Sequence, residues 1–348
     1  PSVVLDTSSA QSVGGVTLFG YGVGQRSDAA APLYWGVDEE GVIVWYLHDT
    51  SVTRADPLIR ALDDGNLLVV LENEARIVTP AGETVASRDL SAVTGFHHDV
   101  VLLSDGHLVA LGQERVTIDG VTLWNDTIHE LDAAGNEVWR WSAAEHLDTG
   151  RFPGALSTTE TRGGLDWSHA NALFAVDGED ALLFSSRSQG WVVKIDRSSG
   201  DVLWILGDGA GTSPGFDAPF FGLNAGSWFT AQHAPMIDSD GHLLLYDNRN
   251  ESGGASANSR VVAYALDETA MAASQQWEYV VPKYTASLGD VDEIAAGHRL
   301  VCAGGPAPGD DHARVIEIGG GDTPTALWGI IVDAPVYRAE RVAWAGFR

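Results

Sequence analysis

The sequence predicts an all-β fold, a six-bladed β-propeller, and three observations predict it. A turn-plus-strand signal recurs along the chain, a closing hairpin ending in Trp recurs behind it, and long helical periodicity is nearly absent. Short strands, glycine turns and radial repetition are how such a fold limits its exposed strand edges.

Near the start, Asp38-Glu39-Glu40-Gly41-Val42-Ile43-Val44-Trp45 is a closing hairpin without inner strands. Five full repeats follow, at about 57–90, 97–142, 168–206, 232–281 and 288–330. Their turns are Asp63-Asp64-Gly65-Asn66, Ser104-Asp105-Gly106-His107, Asp177-Gly178-Glu179-Asp180, Ser239-Asp240-Gly241-His242 and Ala296-Gly297-His298. Apolar bursts come next, such as Leu108-Val109-Ala110-Leu111 and Leu243-Leu244-Leu245-Tyr246. Residues 336–346 supply strands without a closing hairpin, so they and residues 15–48 are expected to pair as the sixth blade. Six is the count and seven the alternative. One propeller domain is expected to span 1–348. Two stretches, 143–168 and 207–232, are too long for simple connections, and each precedes a histidine-bearing strand. Long loops at such points usually serve function, so both are expected to rim one end of the channel.

Composition narrows the function. The chain is 45% hydrophobic with 12 tryptophans, enough for a large core. Its formal net charge is −28, and Lys194 and Lys283 are the only lysines. That balance argues against general affinity for nucleic acid or anionic membranes. No run of about eighteen apolar residues exists, so no helical membrane span is expected. The single cysteine, Cys302, excludes an intramolecular disulfide and a Cys-based zinc site, and its apolar surroundings make it a core residue. Pro1-Ser2-Val3-Val4-Leu5 does not read as a signal peptide. No feature of the sequence fixes an oligomeric state.

Three histidines stand at matching places in three repeats: Phe96-His97-His98-Asp99, Trp167-Ser168-His169-Ala170-Asn171 and Gln232-His233-Ala234-Pro235. In a radial repeat, matching phase means similar depth about one axis, so His98, His169 and His233 should converge. Arg187 ends a strand of the His169 repeat, and its paired donors suit sulfate, phosphate or carboxylate oxygens. Asn171, two residues after His169, shares its face if the strand alternates; His97 is expected to point the other way and is a lesser candidate for contact with substrate. His107, His242 and His298 follow turn glycines and are expected at exposed turns. Three histidines can bind zinc, but a neighbouring Arg187 favours an anion, so neither metal nor cofactor is expected.

With Asp247-Asn248 and Ser185-Ser186-Arg187, these motifs resemble those of the bacterial arylsulfate sulfotransferases, in the same order over about residues 57–330. The resemblance implies a six-bladed propeller, a periplasmic or secreted location, and sulfuryl transfer from an aryl sulfate to a phenol without a nucleotide donor. It implies that His233 becomes sulfated and that His98, His169, Asn171 and Arg187 hold and activate the sulfate. The aromatics Trp167, Phe220, Phe221, Trp228 and Phe229 are candidates to wall an aryl site. Read from the residues alone, a histidine-metal hydrolase or polysaccharide lyase on a propeller, and a non-catalytic binding propeller, stay open.

Overall fold

The structure, a computed structural model, describes residues 2–21, 33–48, 55–71, 73–250, 257–305 and 309–343. It is a β-propeller of six sheets, each built on four antiparallel strands. They fall into two compact units, residues 1–91 with 279–348 and residues 92–278, each holding three blades.

In the first unit one blade runs Ala55–Ala61, Leu67–Leu71, Glu74–Val78 and Thr84–Asp89. A second runs Asp290–Ala295, His298–Ala303, Ala313–Gly319 and Thr325–Val332, with Val3–Ser8 added antiparallel at its edge. The third has the order Val336–Val342, Val16–Tyr21, Leu33–Val37, Ile43–His48, the late strand pairing the early one as expected. Residues 344–346 of the expected closing segment lie outside the described residues.

The second unit holds the blades that carry the three histidines. The first is Val100–Leu102, Leu108–Ile118, Val121–Leu131 and Glu137–Ser142. The next is Ala170–Ala175, Ala181–Ser186, Trp191–Asp196 and Val202–Gly207. The last is His233–Ile237, Leu243–Asp247, Arg260–Asp267 and Ala272–Val280, extended by the parallel strand Gly222–Ala225.

Burial explains the sequence pattern. Second strands such as Leu67–Leu71, Ala181–Ser186 and Leu243–Asp247 are buried at every residue, since both faces of their sheet are covered, and so they read as continuous runs. The outer strand Thr84–Asp89 meets water and alternates. The turns are held by aspartate: Asp238 Oδ1 accepts the N–H groups of Asp240 and His242, while Gly241 supplies φ +78° in open space. Conformation, not crowding, calls for glycine there.

The recurrent tryptophans fasten neighbouring blades. Trp141 Nε1 donates to Gly200 O at 3.0 Å, and Trp204 Nε1 to Glu268 Oε1 at 3.0 Å. In the first unit Trp45 Nε1 reaches Pro80 O at 2.7 Å and Trp328 Nε1 reaches Glu39 O at 2.8 Å. Each indole covers core and places its one donor on the adjacent blade. In the first histidine blade this residue is Trp141. Cys302 is buried, and burial pushes its thiol well above the ordinary value.

Candidate active site

His98, His169 and His233 each stand at the head of a blade's first strand, and side chains of one blade fix the backbone of the next. Asp99 Oδ2 accepts the Leu173 N–H at 2.8 Å. Asp126 Oδ2 accepts the Ala170 N–H at 2.7 Å and the Ser168 hydroxyl. Asn171 Nδ2 donates to Gln232 O at 2.7 Å, and Gln232 Nε2 donates to Ser185 Oγ, Ser186 O and Trp191 O. All these groups are buried.

The backbone leaves strand geometry at the histidines. His98 has φ 57° and His169 φ 45°, while Ala231 (φ 55°) and Ala234 (φ 47°) flank His233. Non-glycine residues seldom adopt the left-handed region. Four such residues beside one another are strain concentrated in one place. Alternation therefore fails here, which corrects the expected orientation of His97. Its ring meets His98 edge-on, centroids 4.9 Å apart, with the two Nδ1 atoms 2.6 Å apart. A bulge between Ala170 and Ala172 likewise removes Asn171 from simple alternation, and its amide ties down the His233 segment.

The rings of His98 and His169 come together as the repeat register predicts, and each of the two interacts electrostatically with His233. His98 and His169 lie 5.1 Å apart between centroids. Burial, then the charges of His97, His169, His233 and Arg187, hold His98 well below the ordinary value of 6.5. Burial, then Arg187, do the same to His233 against the pull of its Asn248 hydrogen bond. Both imidazoles are neutral at pH 7. Arg187 is fixed through its N–H, which donates to His169 O at 3.1 Å.

Hydrogen bonds assign the tautomers. His233 Nδ1 lies 2.7 Å from Asn248 Oδ1 and 3.2 Å from Ala231 O, both acceptors, so it carries the proton and Nε2 keeps the lone pair. His97 Nε2 lies 3.1 Å from both Asp126 Oδ1 and Gly112 O, so it is the donor and Nδ1 the acceptor. His98 then donates from Nδ1 to His97, which places the lone pair on Nε2. His169 Nδ1 rests 2.6 Å from Asp166 Oδ2, which fixes that ring as well. Asp126 is held below the usual carboxylate range: burial opposes this, but the His97 contact and the Ser168 and Ala170 donors outweigh it.

A cavity of about 250 Å³ opens here, lined by His97, His98, Gln113, Thr159, Thr161, Arg162, Asp166, His169 and Ala170. The insertion 143–168 thus supplies its rim, as expected. Arg151 anchors that insertion, donating to Gln189 O, Asp208 O and Ala210 O with its guanidinium 4.4 Å from the Trp191 ring centroid. The second insertion packs its aromatics into the core instead. Phe220 meets Trp191 edge-on, Phe221 meets Trp204, and Trp228 lies against Phe229 and Tyr264. Trp167 is fully buried and bonded to Arg151 O. Trp167, Phe221, Phe229 and Trp228 are therefore placed as packing residues; His233, Arg187 and Asn171, like them, are not among the residues that line this cavity.

His107, His242 and His298 do sit just past the turns, but half-buried and beside carboxylates. His107 Nδ1 is 2.6 Å from Glu130, His298 Nδ1 is 3.0 Å from Glu317, and His242 Nδ1 is 3.8 Å from Asp238. Among the described residues, Asp105/His107/Glu130 and Asp238/Asp240/His242 are the groups whose ligand atoms all lie within 4.8 Å of one another; the three site histidines form no such group. Sequence reading missed Asp126, Asp166 and Arg162. Asp126 and Arg162 carried no spacing signal, while Asp166, three residues before His169, had one in its position.

The family model for arylsulfotransferase (ASST) matches residues 10–325. The chain belongs to this family. It is 30% identical over 323 residues to the arylsulfate sulfotransferase AssT of Escherichia coli O6:H1, a match covering 72% of this chain and 53% of that protein. The chain thus spans about half the length of this relative. Solved structures with similar folds include the periplasmic gluconolactonase PpgL of Pseudomonas aeruginosa, at 12% identity and TM-score 0.48, covering 95% of this chain and 99% of that one. Another is virginiamycin B lyase from Staphylococcus aureus, at 10% identity and TM-score 0.46, covering 93% and 87%.

Proposed function

We propose that this arylsulfotransferase-family protein moves a sulfuryl group from an aryl sulfate to a phenolic acceptor through a sulfohistidine at His233. The observation that carries the reading is the lone pair on Nε2 of a neutral His233, its other nitrogen fixed by Asn248, beside the charge of Arg187.

In the first half-reaction Nε2 attacks sulfur, the N–S bond forms, and the S–O bond to the aryl group breaks to release a phenolate. Arg187 offsets charge on the sulfuryl oxygens in a dry site, where such stabilisation is strongest. In the second half-reaction His98 Nε2 takes the acceptor's proton, the phenolic oxygen attacks sulfur, and the N–S bond breaks to restore His233. The imidazolium formed on His98 is supported through His97 and Asp126, and its proton goes to the next departing phenolate. His169 completes the cavity wall, and Asn171 positions the His233 segment. Location follows the family reading, periplasmic or secreted, and cell fractionation checks it.

The test is incubation with 4-nitrophenyl sulfate and no phenol. The expected result is one burst of nitrophenol and one sulfuryl adduct, located by mass spectrometry at alkaline pH on the peptide containing His233. His233→Ala should lose burst and turnover together, and near wild-type turnover in that variant would overturn the assignment.

A further inference from the structure

The long hairpin Leu108–Ile118/Val121–Leu131 carries Gln113 and Arg115 opposite Asp126 and Trp124 on one face. Gln113 lines the histidine cavity and Asp126 holds His97, so this face leads outward from the site. Against it lies the small hairpin Glu160–Thr161/Gly164–Leu165, tied down by Trp124 Nε1 donating to Thr161 O at 2.7 Å. Its two-residue turn is Arg162-Gly163, with φ 45° and 81°. Such a turn favours Asn, Asp or Gly first, and Arg is kept there against conformational preference.

Both guanidinium groups lie over one indole: Arg162 is 5.4 Å and Arg115 5.8 Å from the Trp124 ring centroid. Among the described residues neither makes an ion pair or hydrogen bond, in a chain with 48 Asp and Glu against 20 Lys and Arg. On the hairpin's opposite face Glu114 is paired with Arg140. Two like charges on one ring repel, and the cation–π contacts offset part of that. An arriving oxyanion would relieve it, with paired donors of matching geometry. Arg162 also lines the cavity beside Thr159, Thr161 and Gln113, and no aromatic ring other than imidazole does.

We propose that Arg162 and Arg115, mounted on Trp124, form an anion subsite at the mouth of the histidine cavity, which takes a carboxylate or sulfate group carried by the aromatic substrate away from the sulfuryl being transferred. This rests on the reading of the histidine cavity given above.

The probe is an acceptor pair differing only in charge, 4-hydroxyphenylacetate and its amide, with 4-nitrophenyl sulfate as donor. Calorimetric binding of both to the protein without donor needs no turnover. The wild type should favour the acid by about 10-fold in KM and Kd, the scale of one charge-assisted hydrogen bond, and rising salt should reduce the preference. Arg162→Gly relaxes the turn and should keep the melting temperature; it and Arg115→Gln should each remove most of the preference, and in Arg115→Gln, which lies outside the cavity lining, kcat with phenol should be unchanged. A wild type with no preference for the acid overturns the proposal, as does a preference that survives both substitutions. Equal weakening of acid and amide together with a lowered melting temperature marks a packing role only and also overturns it. No turnover with any acceptor, but a calorimetric preference lost in Arg162→Gly, would sink the transferase reading and leave the subsite standing.

Discussion

Left-handed backbone at His98 and His169 costs roughly 1–3 kcal/mol at each residue, and the side chains of Asp99, Asp126 and Asn171 hold the segments around it in place. What the strain provides is direction, since it turns the rings toward one another where a regular strand would send neighbours to opposite faces. Burial, with the charge of Arg187 added to it, keeps His98 and His233 neutral to low pH. The acid limb of kcat/KM should accordingly fall well below pH 6.5. Arg187→Gln removes a positive charge that lowers both imidazoles, so its acid limb should move up, and a pH–rate profile reads this directly. An unmoved limb would mean the guanidinium does not act on these rings. His97→Gln breaks the path from Asp126 to His98. Steady-state kcat with phenol should drop roughly 10²-fold, while the nitrophenol burst persists because a good leaving group needs no proton. At this scale the sequence showed the three histidines by register, and Arg187 by its place at a strand end. Asp126 and Arg162 were out of its reach, because what matters there is a cross-blade contact and a turn conformation.

Elements were more legible than residues. The five repeat boundaries fall within a few residues of the blades, because a second strand buried on both faces must be a continuous apolar run. The insertions divided: 143–168 reaches the cavity, while 207–232 lies along a sheet, and a count of aromatics could not tell a wall from a wedge. Arg151 is the reason the first insertion holds its shape, since its guanidinium satisfies three main-chain oxygens of neighbouring loops. Arg151→Met should leave those oxygens without donors and cost about 2–4 kcal/mol in denaturant unfolding. Hydrogen exchange should rise across 150–168 and 207–213, and the KM for donor should rise more than kcat falls.

The acidic composition acts on the molecule as a whole. In the first unit Glu340 is pushed up to about 7 by burial against the pull of Arg60, and Asp292 rises well above its ordinary value by burial and the charges of Asp290 and Glu340. Between about pH 4.5 and 7 the unfolded chain therefore releases a proton that folded Glu340 retains, so this group's contribution to stability falls as pH rises through that window. Glu340→Gln should gain stability over the wild type at pH 8 and little at pH 4, as thermal melts at both pH values will show. The expectation that 1–348 folds as one domain is tested by calorimetry: it calls for a single transition with matching van't Hoff enthalpy, and two transitions would separate 92–278 from the rest. The sheet that joins Val16–Tyr21 to Val336–Val342 also governs how the protein is made. Arg341 there donates to Val13 O, 328 residues away in sequence. During vectorial synthesis the early strand leaves the ribosome with one edge bare and must wait until Val336–Val342 is made before its partner appears. In that interval its natural alternative is the late strand of another nascent copy, so slow translation or crowded polysomes should favour strand-exchanged assemblies over monomers.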